Sequence, residues 1–215
     1  MRGVIIVKTS VIVLGLIALV LAVAVFCVFR TKKRDDVALL WKPQGKVAVV
    51  FFSQSKVGNT RQIAEWISEA TGGDLVEIER ADPYPEPYGE TLKAAQSEIS
   101  SCVLPPIKPL GANLDAYDVV FVGSPVWYGT YAAPVGSFLK AVDLSGKTVV
   151  PFCTHGGGGE GRTFADVSKA VPSAVAVLPG FVARGSNQIE RRLGVGVKRT
   201  TCKADVVNWL NGLAK

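Results

Sequence analysis

From Lys46 onward, short apolar runs alternate with amphipathic stretches, and the alternation repeats five times. "VAVVFF" (Val47 to Phe52) reads as a buried strand by its length and β-branched content. Between Thr60 and Ala70, Ile63, Ile67 and Ala70 share one helical face, and Gly72-Gly73 ends that helix. "DLVEIE" alternates as a second strand, "DVVFVGS" is a third and "KTVVPFCT" a fourth. "SAVAVLPGFVARG" is a fifth strand, bent or broken at Pro179-Gly180. A second helix carries Leu92, Ala95 and Ile99, and a third opens at Pro134 and carries Val135, Phe138, Leu139 and Val142. Phe164, Val167 and Val171 mark the next helix, and Val206, Val207, Leu210 and Leu213 the last. "ADPYPEPYGE" reads as a proline-rich loop and "VLPPIKPLGANL" as an irregular surface stretch. Continuous apolar strands alternating with helices imply an α/β fold of three layers, a doubly wound parallel sheet of five strands covered on both faces. In such a fold ligands bind beyond the carboxyl ends of the strands, at the switch point. The loops after strands one, three and four are therefore the places to look.

Residues ahead of this domain are of another kind. Thr9 to Phe29 holds no charged residue, and as a helix its 21 residues span roughly 31 Å at about 1.5 Å per residue. That matches a bilayer core of roughly 30 Å. A cleaved signal peptide is the rival reading, with Arg2 and Lys8 as its basic start and Ala22-Val23-Ala24 as its cleavage site. The apolar run continues past that site, which favours an uncleaved anchor over residues 1–29. Residues 30–45 form a basic linker, and the domain occupies residues 46–215. Arg30, Lys32, Lys33 and Arg34 just after the span place the domain on the cytoplasmic side of a single-pass membrane protein.

The formal charge of +6 does not point to nucleic acid. Residues 1–45 carry seven bases and two acids, so +5, while the remainder carries 17 bases and 16 acids. The domain is nearly neutral, and the basic cluster suits lipid headgroups. Cys27, Cys102, Cys153 and Cys202 form no C-x-x-C pair, and with His155 the only histidine a zinc site is disfavoured. Reduced thiols agree with the cytoplasmic orientation.

The first loop is "SQSKVGNT". Ser53, Ser55, Asn59 and Thr60 supply small donors, Gly58 lets the backbone turn, and the following helix offers its positive end, which together suit a phosphate. A helix start rich in turn formers is the plainer alternative. Neither the Walker A pattern nor G-x-G-x-x-G is present. The third-strand loop, "GSPVWYGTYAAP", crowds Pro125, Trp127, Tyr128 and Tyr131 beyond a strand end. Trp127 or Tyr128 suits stacking on a planar ring; packing over a neighbouring helix is the alternative. The fourth-strand loop, "CTHGGGGEG", has four consecutive glycines that bring backbone amides close to a ligand. His155 reads as a hydrogen-bonding loop residue rather than a catalyst, and the absence of G-x-S-x-G disfavours a hydrolase. A phosphate at the first loop, a flat ring at the second and a ring edge at the third are satisfied by one ligand, flavin mononucleotide (FMN).

These loops resemble those of the flavodoxin-like family. "YDVVFVGSPVWYGT" and "LSGKTVVPFCTHGG" are especially similar to a branch of small bacterial and archaeal flavodoxins, and the resemblance covers about residues 46–215. It implies a sheet of order 2-1-3-4-5 binding FMN without covalent attachment. By the same resemblance Ser53, Ser55, Gly58, Asn59 and Thr60 would hold the phosphate. Pro125, Val126, Trp127, Tyr128 and Gly129 would flank the ring, and Thr154, His155, Gly156 and Gly157 would meet its other edge. The sequence departs from the family in three places. Two extra residues separate Ser53 from Gly58, leaving open which serine takes the first role, and Lys56 adds a cation. The glycine loop carries no aromatic to cover a second ring face, and the domain is near neutral where flavodoxins are acidic.

The expected function is that of a membrane-tethered electron carrier. Its partners would be the membrane, through the N-terminal helix, and a redox protein or a small-molecule electron acceptor. The alternative is an FMN-dependent NAD(P)H:quinone-type oxidoreductase, which an open ring face would favour. An adaptor that has lost its flavin is a third option. Residues 186–202 are left open as a hairpin, a partner surface or a loop.

Overall fold

The structure, a computed structural model, describes residues 37–55, 58–185 and 201–214. The expected anchor over 1–29, the first part of the linker (30–36), Lys56 and nearly all of 186–202 lie outside the described residues. Among the described residues no helix is long and apolar enough to cross a membrane.

The strands are β1 (Val47–Phe51), β2 (Asp74–Glu77), β3 (Val119–Trp127), β4 (Thr130–Tyr131), β5 (Thr148–His155), β6 (Ala176–Val177) and β7 (Phe181–Arg184). The helices are α1 (Asn59–Thr71), α2 (Tyr88–Ser100), α3 (Ala133–Ala141), α4 (Thr163–Ala170) and α5 (Lys203–Gly212). The parallel sheet has the order β2-β1-β3-β5-β6. β7 pairs with β5 further along the same edge, from Phe152↔Phe181 to His155↔Arg184. The expected fifth strand is thus β6 and β7, parted around Pro179-Gly180 as its sequence suggests. The expected fourth strand is β5, because a short additional strand, β4, precedes it.

β4 is the element the sequence reading lacks. Pro125, Val126 and Trp127 are not a loop but the end of β3, which turns back through Tyr128-Gly129 so that Trp127 pairs with Thr130 and Val126 with Tyr131. Tyr128 (φ 49°) and Gly129 (φ 81°) both adopt the left-handed region, as a two-residue hairpin turn requires. Tyr88, Gly89 and Glu90, read as part of the proline-rich loop, instead open α2.

Alternation along the strands builds two cores. Ala48, Val50 and Phe52 of the first strand segment, with Val120 and Val122, join Val135, Phe138 and Leu139 of α3 and Val167 of α4. Val47, Val49 and Phe51, with Phe121, Val150 and Phe152, join Ile63 and Ile67 of α1 and Val206 and Leu210 of α5. Burial on both sides explains why these strands read as unbroken apolar runs.

Candidate functional site

β1 delivers Ser53, Gln54 and Ser55 to the carboxyl edge of the sheet. The Gly58 N–H donates to the Ser55 carbonyl at 2.8 Å, and the Asn59 N–H to Ser55 Oγ at 3.2 Å. Gly58 caps α1 at φ 63°, a conformation that suits glycine, and brings no side chain to the helix end. The positive end of α1 is therefore left to whatever lies before it. Thr60 Oγ1 and Thr154 Oγ1 share a buried hydrogen bond of 2.9 Å, which ties the first turn of α1 to β5. Ser53 Oγ is buried with no hydrogen-bond partner among the described residues. A buried hydroxyl left unpaired is costly, so this one marks a place where a ligand acceptor fits.

At the end of β3, Trp127 stands edge-on to Phe52 (centroids 5.7 Å apart, 85° between planes) and to Tyr84 (5.2 Å, 76°). Its partners Phe52 and Tyr84 lie outside the helices, so the ring packs on the core and not over a neighbouring helix, and the residue also lines a cavity. Tyr128 is exposed, and its hydroxyl donates to the Leu92 carbonyl at 2.9 Å, fastening the hairpin turn to α2.

His155 ends β5. Its Nδ1 accepts from the N–H groups of Gly157 and Gly159, each at 3.0 Å. A nitrogen that accepts two hydrogen bonds carries no proton, so the neutral ring bears its hydrogen on Nε2. Burial holds the imidazole below its ordinary pKa, and the nearby Arg184 guanidinium pushes the same way against the opposing Glu160 carboxylate. Cys153, two residues before His155, is buried, and its thiol is pushed up to about 12 chiefly by that burial. It is no nucleophile at neutral pH.

These segments meet around a cavity of about 580 Å³, within the usual size of a small-molecule site. Of the residues expected from the sequence, Ser53, Ser55, Asn59, Thr60, Pro125, Val126, Trp127, Thr154, His155 and Gly156 line it. Gly58, Tyr128, Gly129 and Gly157 do not: the first and last shape the adjoining loops, and the middle pair makes the hairpin turn. Gln54, Glu86, Pro87, Tyr88, Thr91 and Gly185 line it without having been foreseen. The strand-end rule reaches Gln54 and Gly185, which follow β1 and β7, but not the segment from Glu86 to Thr91, which lies well past β2 and runs into α2. At Gly185 a Cβ would sit 2.7 Å from Asn59 Nδ2, so any larger residue there would require the Asn59 side chain to shift. Among the described residues no cluster of His, Cys, Asp or Glu could hold a metal ion.

A doubly wound parallel sheet with a cavity at its switch point, walled by small donors, an indole and a glycine loop, defines a nucleotide-cofactor type of α/β protein. A sequence profile described as Flavodoxin matches residues 46–192, more than half of the chain, and the chain belongs to that family. A crystal structure described as a flavoprotein from Bacteroides eggerthii DSM 20697 is 28% identical, with a TM-score of 0.63, covering 80% of this chain and 99% of that one. A second, described as a flavoprotein from Bacteroides uniformis ATCC 8492, is 23% identical with a TM-score of 0.62, covering 78% and 99%. A flavoprotein from Lactobacillus acidophilus NCFM, solved in complex with FMN, is 22% identical with a TM-score of 0.55, covering 70% and 98%. No curated protein matches the sequence.

Proposed function

We propose that the chain binds FMN non-covalently in this cavity and carries electrons between redox partners, held at a membrane by residues 1–29. The observation that carries the reading is the convergence of three segments, far apart in sequence, around a cavity where Ser53 Oγ is buried without a partner. Ser53, Ser55, Asn59 and Thr60, with the start of α1, would hold the phosphate through neutral donors and the helix dipole. Trp127 would offer its indole to the flat ring, and His155 an N–H to a ring-edge acceptor. The bound flavin would supply the redox chemistry, while the protein binds, orients and tunes it. A carrier needs no acid or base from the chain, and the buried thiol of Cys153 takes no part. Tethering would raise the effective concentration near membrane partners.

The full-length chain, purified and reconstituted with FMN, is expected to show flavin absorption bands that persist through removal of free FMN. Loss of all flavin on that removal overturns the reading. Mixing the loaded protein with NADH or NADPH then separates the two redox roles. Inertness toward both, with reduction by a protein donor, is the result expected of a carrier; rapid bleaching of the flavin bands would mean an NAD(P)H-dependent oxidoreductase.

A further inference from the structure

Behind the cavity wall lies a cluster that the proposed function does not use. Arg80 pairs with Glu98 across the space between the end of β2 and α2, and their side chains are only 15% and 13% exposed. Tyr84, 4% exposed, donates its hydroxyl to the other oxygen of the same carboxylate. The Arg80 guanidinium also lies over the Tyr84 ring, 4.0 Å from its centroid, and its Nε donates to the Asp82 carbonyl at 2.7 Å. Tyr84 is thus held at its hydroxyl and on one ring face.

Beyond Tyr84 stand Phe52 and Trp127. The three rings meet edge to face, with centroids 5.2 Å apart for Tyr84 and Trp127, 5.7 Å for Phe52 and Trp127, and 6.2 Å for Phe52 and Tyr84. Of the three, Trp127 alone lines the cavity. The same segment also supplies the facing wall. Thr91 Oγ1 donates to the Pro85 carbonyl at 2.6 Å, and Glu86, Pro87, Tyr88 and Thr91 line the cavity just beyond.

Stability alone is a poor account of this arrangement. A buried ion pair is often no better for stability than apolar side chains of the same volume. What the charges add is direction: the carboxylate's two oxygens fix a guanidinium and a phenol at set angles. An apolar cluster in the same space would leave the Tyr84 ring free to shift, and Trp127 with it.

We propose that Arg80, Tyr84 and Glu98 are positioning residues for the cavity: they lock the Tyr84 ring and, through it, the plane that Trp127 offers to bound FMN. Burial and the Glu98 carboxylate both hold the Tyr84 phenol well above its usual range, so it remains a donor at any physiological pH. The inference rests on the FMN reading of the cavity.

The test is a double-mutant cycle on the full-length chain, reading FMN affinity by fluorescence titration, with circular dichroism verifying the fold of each variant. Tyr84→Phe keeps the ring and removes its anchor. With Trp127 in place it is expected to weaken FMN binding about 3- to 10-fold, and in a Trp127→Ala background by less than about 1.5-fold. Glu98→Gln leaves an acceptor for the Tyr84 hydroxyl, so it is expected to fall between the unchanged chain and Tyr84→Phe. A residue that merely supports the fold would lower affinity equally in both backgrounds, and equal losses overturn the inference alone. Failure of the unchanged chain to bind FMN overturns both the inference and the function it rests on.

Discussion

At the amino ends of the strands, polar side chains close on one another. Lys147 Nζ, on a residue 9% exposed, donates to the Tyr117 carbonyl at 2.7 Å, and the Asp118 carboxylate accepts the Lys46 N–H at 2.7 Å. The Tyr117 hydroxyl donates to Asp74 at 2.8 Å, and the Lys46 ammonium reaches the same Asp74 oxygen at 3.3 Å. At the carboxyl ends the pattern reverses. Ser53 Oγ is buried without a partner among the described residues, α1 starts on a glycine, and consecutive glycines follow His155. Among the described residues the buried polar side chains of the amino edge are paired, whereas the carboxyl edge leaves Ser53 Oγ over. Satisfied polar groups mark a structural edge; buried donors left over mark a binding edge.

The contrast breaks most visibly if the two edges do not separate under mutation. Lys147→Met removes the donor to the Tyr117 carbonyl and is expected to cost about 1–3 kcal/mol of stability. FMN affinity of the folded protein should be unchanged. Denaturant unfolding and FMN titration on the same variant check this, and a drop in affinity would show that the amino edge is not independent of the site.

Trp127→Ala acts on the other edge. Loss of ring stacking should weaken FMN binding by about 0.5–1.5 kcal/mol beyond the area lost. Stability should also fall, because Phe52 and Tyr84 lose their edge-to-face neighbour. Isothermal titration gives the first and thermal unfolding the second. Unchanged affinity would remove Trp127 from the site.

Why this edge was half legible in the sequence follows from the range of the interactions that build it. Strands buried on both faces announce themselves locally, since Val47 to Phe52 needs only its own composition to be read. The strand-end rule then picks out Ser53, Trp127 and His155 because each lies at or just past the end of such a run. The facing wall depends on pairing at a distance. The stretch leading into Glu86 to Thr91 is held by Tyr84, bound to Glu98 14 positions away, and by Arg80, which pairs with Glu98 across 18. Nothing in a proline-rich stretch encodes that partner. The β4 hairpin is not legible for another reason: its strand has two residues, too few for any periodicity, and its turn places a tyrosine where Asn or Asp would be the usual signal.

Ser53→Ala sharpens the comparison at a single atom. The hydroxyl satisfies nothing in the protein among the described residues, so its removal should leave unfolding free energy unchanged or slightly raised. FMN affinity should fall by about 0.5–1.5 kcal/mol, the value of one hydrogen bond. Affinity lost without stability is the signature of a binding edge. A stability loss with affinity intact would assign Ser53 to the fold instead.

The smallest effect expected is the dependence on pH, and it comes from His155. Its Nδ1 lone pair receives the Gly157 and Gly159 amides, so a proton on that nitrogen would displace both and release the glycine loop. The folded-state pKa lies below the ordinary 6.5, by burial first and then by Arg184. A depressed base has a definite sign. Between the two pKa values the unfolded chain binds more protons than the folded one, so stability rises with pH across that window. The loop's contribution is therefore complete above about pH 6.5 and declines as pH falls from there toward the folded value. FMN affinity, measured from about pH 8 to about pH 5, is set by the folded protein alone and should fall only as pH approaches the depressed folded pKa, on the acid side of about 6.5. His155→Gln can still accept an amide hydrogen bond but cannot titrate, so it should flatten that profile while keeping most of the affinity. A profile that is unchanged in this variant would place the pH dependence on another group and leave the two amide bonds to His155 with a purely structural role.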